Sequence, residues 1–200
     1  MIEPRIVKEI SGPIAIVRFN QTNQRNALSS HLMDELELIL SELLEREDIR
    51  AIIFTGTGEV FLSGADIREL AQLDASQARA FSQRGQRLMQ RIADAKPLTI
   101  AAVNGFCMGG GLDFALACDM RIGSSTAVFA HPGARLGIIT GWGGTQRLPR
   151  LIGKTRAIQL FATAQRVSSS EALKIGLITE ICDPVLAGAR AQALRVISTS

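Results

Sequence analysis

A chain of 200 residues with 46% apolar and 20% charged residues has the length and balance of one folded domain, not of a disordered segment. Two His (31 and 131) and three Cys (107, 118 and 182) without a Cys-x-x-Cys pair exclude a three-His or structural zinc site. A net charge of +3 without a basic run gives no footprint for nucleic acid, and no stretch of about 18 residues is free enough of polar punctuation to span a membrane.

In chain order, Arg5 to Glu9 and Ile14 to Phe19 read as two strands around the turn Ser11-Gly12-Pro13. After the polar loop Gln21 to Asn26, Ser29 or Ser30 caps a helix in which Leu32, Leu36, Ile39, Leu40, Leu43 and Leu44 recur at helical spacing. Ala51 to Thr55 is a short buried strand ending at Gly56, and Gly58 to Asp66 is a loop. An amphipathic helix runs from about Asp74 to Ala95 until Pro97 stops it, and Leu98 to Val103 is a further strand. Asn104-Gly105 is a turn, and Gly109-Gly110-Gly111 leads into a short apolar helix over Leu112 to Cys118. Met120 to Gly123 and Ala127 to Ala130 read as strands. Pro132 to Gly144 is loop-rich, and helices fill Gly143 to Ile152, Thr155 to Ala164 and Ser169 to Ile175. The alternation of strand and helix predicts an α/β domain. The tail after Asp183 is helical in propensity.

Two nucleotide motifs are approached and missed. Gly153-Lys154-Thr155 ends like a phosphate-binding loop, but Leu148 stands where its first glycine belongs. Gly109 to Phe114 begins like a dinucleotide fingerprint, but Phe114 occupies the third glycine position. The strand–glycine–helix junction over Ala101 to Asp119 has its own chemistry. Glycines let a backbone approach a ligand closely, and the first N–H groups of a helix are unpaired at the positive end of its dipole. Such a junction stabilises a developing negative charge. The same glycines also serve a tight turn between closely packed elements. Lysine occurs only at 8, 96, 154 and 174, so Arg supplies the other 18 basic residues, reflecting either base composition or forked contacts with phosphate.

Three segments together resemble the crotonase, or enoyl-CoA hydratase/isomerase, family: Phe61-Leu62-Ser63-Gly64-Ala65-Asp66-Ile67, Gly109 to Asp119, and Gly137 to Leu148 with its Gly-Gly-Thr-Gln-Arg-Leu. Arg25-Asn26-Ala27-Leu28, Ser170-Glu171-Ala172 and Gly176-Leu177-Ile178 fit as well, so the resemblance runs from about Ile6 to Cys182. It implies a repeated β-β-α spiral over a core of residues 1–182. Residues 183–200 would begin a C-terminal helical region that continues further in other members. It implies an acyl-CoA thioester as substrate, no cofactor beyond the coenzyme A of that substrate, no metal, and a homotrimer or hexamer. The odd cysteine count and the lack of a secretory leader imply reduced thiols in the cytoplasm.

The resemblance also assigns positions. The oxyanion of an enolate-like intermediate falls between the backbone N–H groups of Ala65 and Gly110, and the acyl-CoA falls along Gln24, Arg25, Ala65, Asp66, Ile67, Arg68 and Gly110. Of the two glutamates used by the family's hydratases, one position is Asp113 and the other is Gly133. Asp113 keeps a carboxylate about 1.5 Å shorter in reach; Gly133 is a degenerate catalytic position that transfers no proton. Hydration or isomerisation with Asp113 as the surviving acid/base is the first expectation. Decarboxylation, thioester hydrolysis, isomerisation alone, or binding of coenzyme A with little hydratase activity are alternatives. His131, near the lost acid, is either a packing residue or a proton carrier.

Overall fold

The computed structural model describes residues 4–199. It opens with an antiparallel hairpin, β1 (Ile6–Ser11) and β2 (Ile14–Phe19), followed by α1 (Ser30–Leu44). Ser29 caps α1 by accepting from the Leu32 N–H at 3.2 Å, and Leu32, Met33, Leu36, Leu40 and Leu43 form its buried stripe.

A unit then repeats in which a strand of one sheet turns into a short strand of a second sheet and then into helix. The first unit is β3 (Ala51–Gly56), β4 (Val60–Leu62), α2 (Ile67–Leu70) and α3 (Ala75–Ala93). The second is β5 (Leu98–Val103), β6 (Phe106–Met108) and α4 (Gly110–Ala117). The third is β7 (Met120–Gly123), β8 (Val128–Ala130), α5 (Gly144–Ile152) and α6 (Lys154–Thr163). Two-residue strands β9 (Val167–Ser168) and β10 (Glu180–Ile181) flank α7 (Ser169–Lys174), and α8 (Val185–Ile197) follows.

The sheets have the orders β1-β2-β3-β5-β7-β10 and β4-β6-β8-β9. Because β3, β5 and β7 are parallel in one sheet while β4, β6 and β8 are parallel in the other, the chain climbs as a spiral. The corner between sheets is tight. A Cβ on Gly105 would collide with the Glu59 carbonyl, so a glycine is required there.

The reading of an α/β domain and most of its elements agree with this architecture. The loop expected over Gly58 to Asp66 contains β4, and the turn before the glycine cluster continues as β6; three-residue strands fall below the length at which alternation is visible. The helix expected from Leu112 starts two residues earlier, at Gly110.

One face of the larger sheet packs on α1 and α4. Phe114 of α4 meets the rings of Phe19 and Phe54 edge-on at 5.5 and 5.0 Å, with Phe61 at 6.1 Å. The other face carries Ile14, Ile16, Ile53, Ile100 and Ile122, covered by Val185, Ala189 and Ala193 of α8. Phe114 thus pins the helix whose first turn carries Gly110 and Asp113.

Candidate active site

The loop after β2 is sewn to the segment after β4. The buried Asn26 side chain accepts from the Gln21 N–H at 2.7 Å and donates to the Val60 carbonyl at 2.8 Å. Leu28 donates its N–H to the Gly64 carbonyl at 2.8 Å and pairs with Ala65 in a parallel bridge. These contacts explain why Arg25-Asn26-Ala27-Leu28 and Ser63-Gly64-Ala65-Asp66 belong together: the first segment holds the second in place.

The segment at Gly64–Ala65 touches the start of α4. A Cβ built on Gly64 would lie 2.9 Å from the Met108 carbonyl and 3.2 Å from the Gly110 nitrogen; one built on Gly110 would lie 3.4 Å from the Ala65 nitrogen. The N–H groups of Ala65 and Gly110 have no acceptor among the described residues. Two free donors at one junction, one of them at a helix N-terminus, form a site suited to an oxyanion.

Asp113, one turn into α4, is fully buried. Its Oδ2 accepts the hydroxyl of Thr140, and its Oδ1 lies 3.2 Å from Nε2 of His131, which is also buried. Gly144, at the start of α5, abuts the same carboxylate: a Cβ there would overlap Oδ1. Gly133 lies in a short 3-10 turn over Pro132–Leu136. A Cβ on Gly133 would sit 2.6 Å from the Ile138 carbonyl, so the backbone itself closes the place a side chain would use. Trp142 completes the wall. Its indole abuts Gly110, where an added Cβ would come within 2.5 Å, and its ring is tilted by 45° against Phe81 of α3 at 5.3 Å between ring centres.

The other positions assigned to coenzyme A lie in the two segments that the pairing of Leu28 with Ala65 joins. Gln24 and Arg25 are exposed at the end of a 3-10 turn over Thr22–Gln24, with Arg25 in the left-handed region at φ 53°. Asp66 is buried and caps α2, accepting from the Arg68 N–H at 2.9 Å and pairing with its guanidinium at 2.9 Å. The Arg68 guanidinium holds the Asp66 carboxyl below the usual carboxylate range. Ile67 is exposed, as is most of Arg68.

Sequence reasoning missed a cavity of about 260 Å³ lined by Arg25, Arg135, Arg166, Phe106, Met108 and Pro132. Arg25 and Arg166 lie over the Phe106 ring at 5.6 and 6.0 Å. Unlike Arg68, these three arginines have no carboxylate partner among the described residues. They come from three distant segments with no shared motif, which is why spacing did not reveal them. A larger hollow of about 520 Å³, lined by Glu45, Arg46, Arg50 and Lys96 among others, lies at the opposite ends of β3 and β5 and gathers no comparable constellation. No group of three or more potential metal-ligating side chains occurs among the described residues, and no described helix is long and apolar enough to cross a membrane.

Comparison with known proteins identifies relatives of the chain. The family model described as enoyl-CoA hydratase/isomerase matches residues 9–197. The chain is 41% identical to the short-chain-enoyl-CoA hydratase of Clostridium acetobutylicum over 180 residues, covering 90% of this chain and 69% of that protein. It is 38% identical to the crotonyl-CoA hydratase of Syntrophomonas wolfei over 185 residues, covering 92% and 71% respectively. The crystal structure of an enoyl-CoA hydratase from Bacillus anthracis superposes with a TM-score of 0.93 at 35% identity, covering 98% of this chain and 77% of that one.

Proposed function

Because the chain belongs to the enoyl-CoA hydratase/isomerase family, we propose that it binds an acyl-CoA thioester, holds its carbonyl oxygen between the N–H groups of Ala65 and Gly110, and moves a proton with Asp113 as the only carboxylate base. The observation that carries this reading is the pair of free donors beside one buried carboxylate, with the second acid's position filled by backbone at Gly133. Removal of the proton beside the thioester sends the C–H electron pair onto the carbonyl oxygen, and each donor contributes about 10²–10³ to that step. Asp113 takes the proton and returns it to another carbon of the same acyl group. Double-bond migration needs no more than this. Hydration needs a second group to activate or protonate, and losing a positioned acid or base costs about 10²–10⁴ in rate.

The test is direct comparison of two substrates. Conversion of 3-butenoyl-CoA to crotonyl-CoA is expected to outpace hydration of crotonyl-CoA by about 100-fold or more; hydration at an equal or greater rate overturns the one-base reading. A second reading, coenzyme A binding with little turnover, is favoured by one observation: Asp113 has no exposed surface. It predicts binding of butyryl-CoA with neither reaction.

The cavity supports a site for the phosphates of coenzyme A. Arg25→Ala and Arg166→Ala are expected to weaken coenzyme A binding and flatten its salt dependence, because both guanidinium groups are free of carboxylates. Arg68→Ala is expected to do less, since Asp66 already neutralises that side chain. Unchanged affinity in Arg25→Ala and Arg166→Ala moves the phosphates elsewhere. We further propose a homotrimer or hexamer, which would cover the exposed side chains of Leu136, Ile138 and Ile139; light scattering on the purified chain tests it.

A further inference from the structure

The two oxygens of Asp113 face groups of different character. Oδ2 is bonded to Thr140, which is half-buried on a segment whose residues 134–139 and 141 are exposed. Oδ1 lies 3.2 Å from Nε2 of His131 without hydrogen-bond geometry between them, so two buried polar atoms stand side by side, neither with a hydrogen-bond partner among the described residues. His131 is 4% exposed, and its ring lies 4.9 Å from that of Phe161 on α6, so the imidazole belongs to the packed interior. Since Asp113 has no exposed surface, a substrate carbon reaches it only when a covering group gives way. Thr140 is the bonded partner on the exposed segment; His131 is the one that stays.

We propose that His131 is the positioning residue for Asp113: its buried Nε2, 3.2 Å from Oδ1, turns its N–H onto that oxygen when Thr140 gives way and keeps the carboxylate aimed while it removes a proton. This role rests on the enolate reading above. In the step, the C–H bond beside the thioester breaks, its electron pair moves onto the thioester oxygen between Ala65 and Gly110, and the proton forms an O–H bond on Asp113. Return of that proton to carbon restores the carboxylate, and His131 keeps its own proton throughout. Gly133 itself offers no side chain for this work, and the backbone closes the space beside it.

The probe is butyryl-CoA in D₂O, with exchange of the protons beside the thioester followed by NMR, so that no particular product need be known. The wild-type chain is expected to exchange them, and Asp113→Asn to abolish exchange. His131→Asn keeps a polar side chain whose amide stops short of the Nε2 position; it is expected to slow exchange about 100-fold, the cost of a misplaced reacting group, with butyryl-CoA affinity unchanged. His131→Gln carries an amide N–H to about where Nε2 sits and is expected to recover most of the rate. A purely structural role would not separate Asn from Gln in rate at equal affinity and equal melting temperature. Exchange in His131→Asn at the wild-type rate, or His131→Gln as slow as His131→Asn, overturns the proposal. Absence of exchange by a wild-type chain that binds butyryl-CoA overturns the enolate reading itself, and this role with it.

Discussion

Gly64 is where a single methyl group would do the most damage. Its φ of +103° is one that L side chains rarely adopt, and a Cβ would press on the Met108 carbonyl at 2.9 Å and the Gly110 nitrogen at 3.2 Å. Gly64→Ala therefore pushes apart the two segments that bring the free N–H groups together. The expected outcome is a loss of about 1–3 kcal/mol in stability and, at temperatures where the variant is folded, a rate loss of about 10²–10³, as when one oxyanion donor is removed. Chemical denaturation and single-turnover kinetics measure the two separately. At this scale the sequence was legible wherever a residue sat inside a contiguous motif: Ser63-Gly64-Ala65-Asp66 and Gly110 to Asp113 both stand at the junction. Arg135 and Arg166 were not legible, because their meaning comes from Phe106 and Arg25 across the fold. The partnership of His131 with Asp113 was invisible for the same reason. The two are 18 positions apart, on separate elements, and only their packing sets the 3.2 Å between them.

Trp142 links elements instead of residues. It follows a segment in which residues 134–139 and 141 are exposed, yet its indole is buried between α3 and α4 because both helices present a glycine to it. Added Cβ atoms would overlap the indole at Gly85 and approach it to 2.5 Å at Gly110. The slot holds the wall of the site against the helix that starts it. Trp142→Ala is expected to destabilise by about 3–5 kcal/mol, the usual cost of emptying a large aromatic site. Gly85→Ala acts from the opposite side by overpacking, and should cost about 1–3 kcal/mol. Thermal melts of both variants check the pair; a Gly85→Ala chain as stable as wild type would show that α3 shifts freely against Trp142. The helical stripe of α3 was plain from its spacing, and its capping box is formed, Asp74 accepting from Gln77 N–H at 2.8 Å while the Gln77 side chain accepts from Asp74 N–H at 2.9 Å. The glycine in that stripe could not be read as a slot, since what fills it arrives about 57 residues later.

At the scale of the whole molecule, the charge that balances the candidate site sits at the other end of α4. Arg121 of β7 is buried, and its guanidinium donates to the carbonyls of Cys118 at 2.7 Å, Ala115 at 3.4 Å and Leu177 at 2.9 Å. Two of these belong to the C-terminal end of α4, where a cation is favoured by the dipole whose positive end lies at Gly110. The third ties in the turn before β10, so one side chain joins the sheet, α4 and the C-terminal part of the chain. No carboxylate is within ion-pairing distance of it among the described residues, and burial pushes its pKa down from the ordinary arginine value. The guanidinium is therefore held by carbonyls, and removing it leaves buried acceptors unsatisfied at about 1–3 kcal/mol each. Arg121→Met, which keeps volume but no donors, is expected to lower stability by about 3 kcal/mol or more. Arg121→Lys keeps the charge but cannot reach three carbonyls with one planar fork, and should fall between. The comparison that matters is between ends of the helix. If α4 transmits order from Arg121 to Gly110, Arg121→Met also slows proton exchange in butyryl-CoA at a temperature where the chain is fully folded. An unchanged exchange rate with lowered stability confines Arg121 to holding the molecule together.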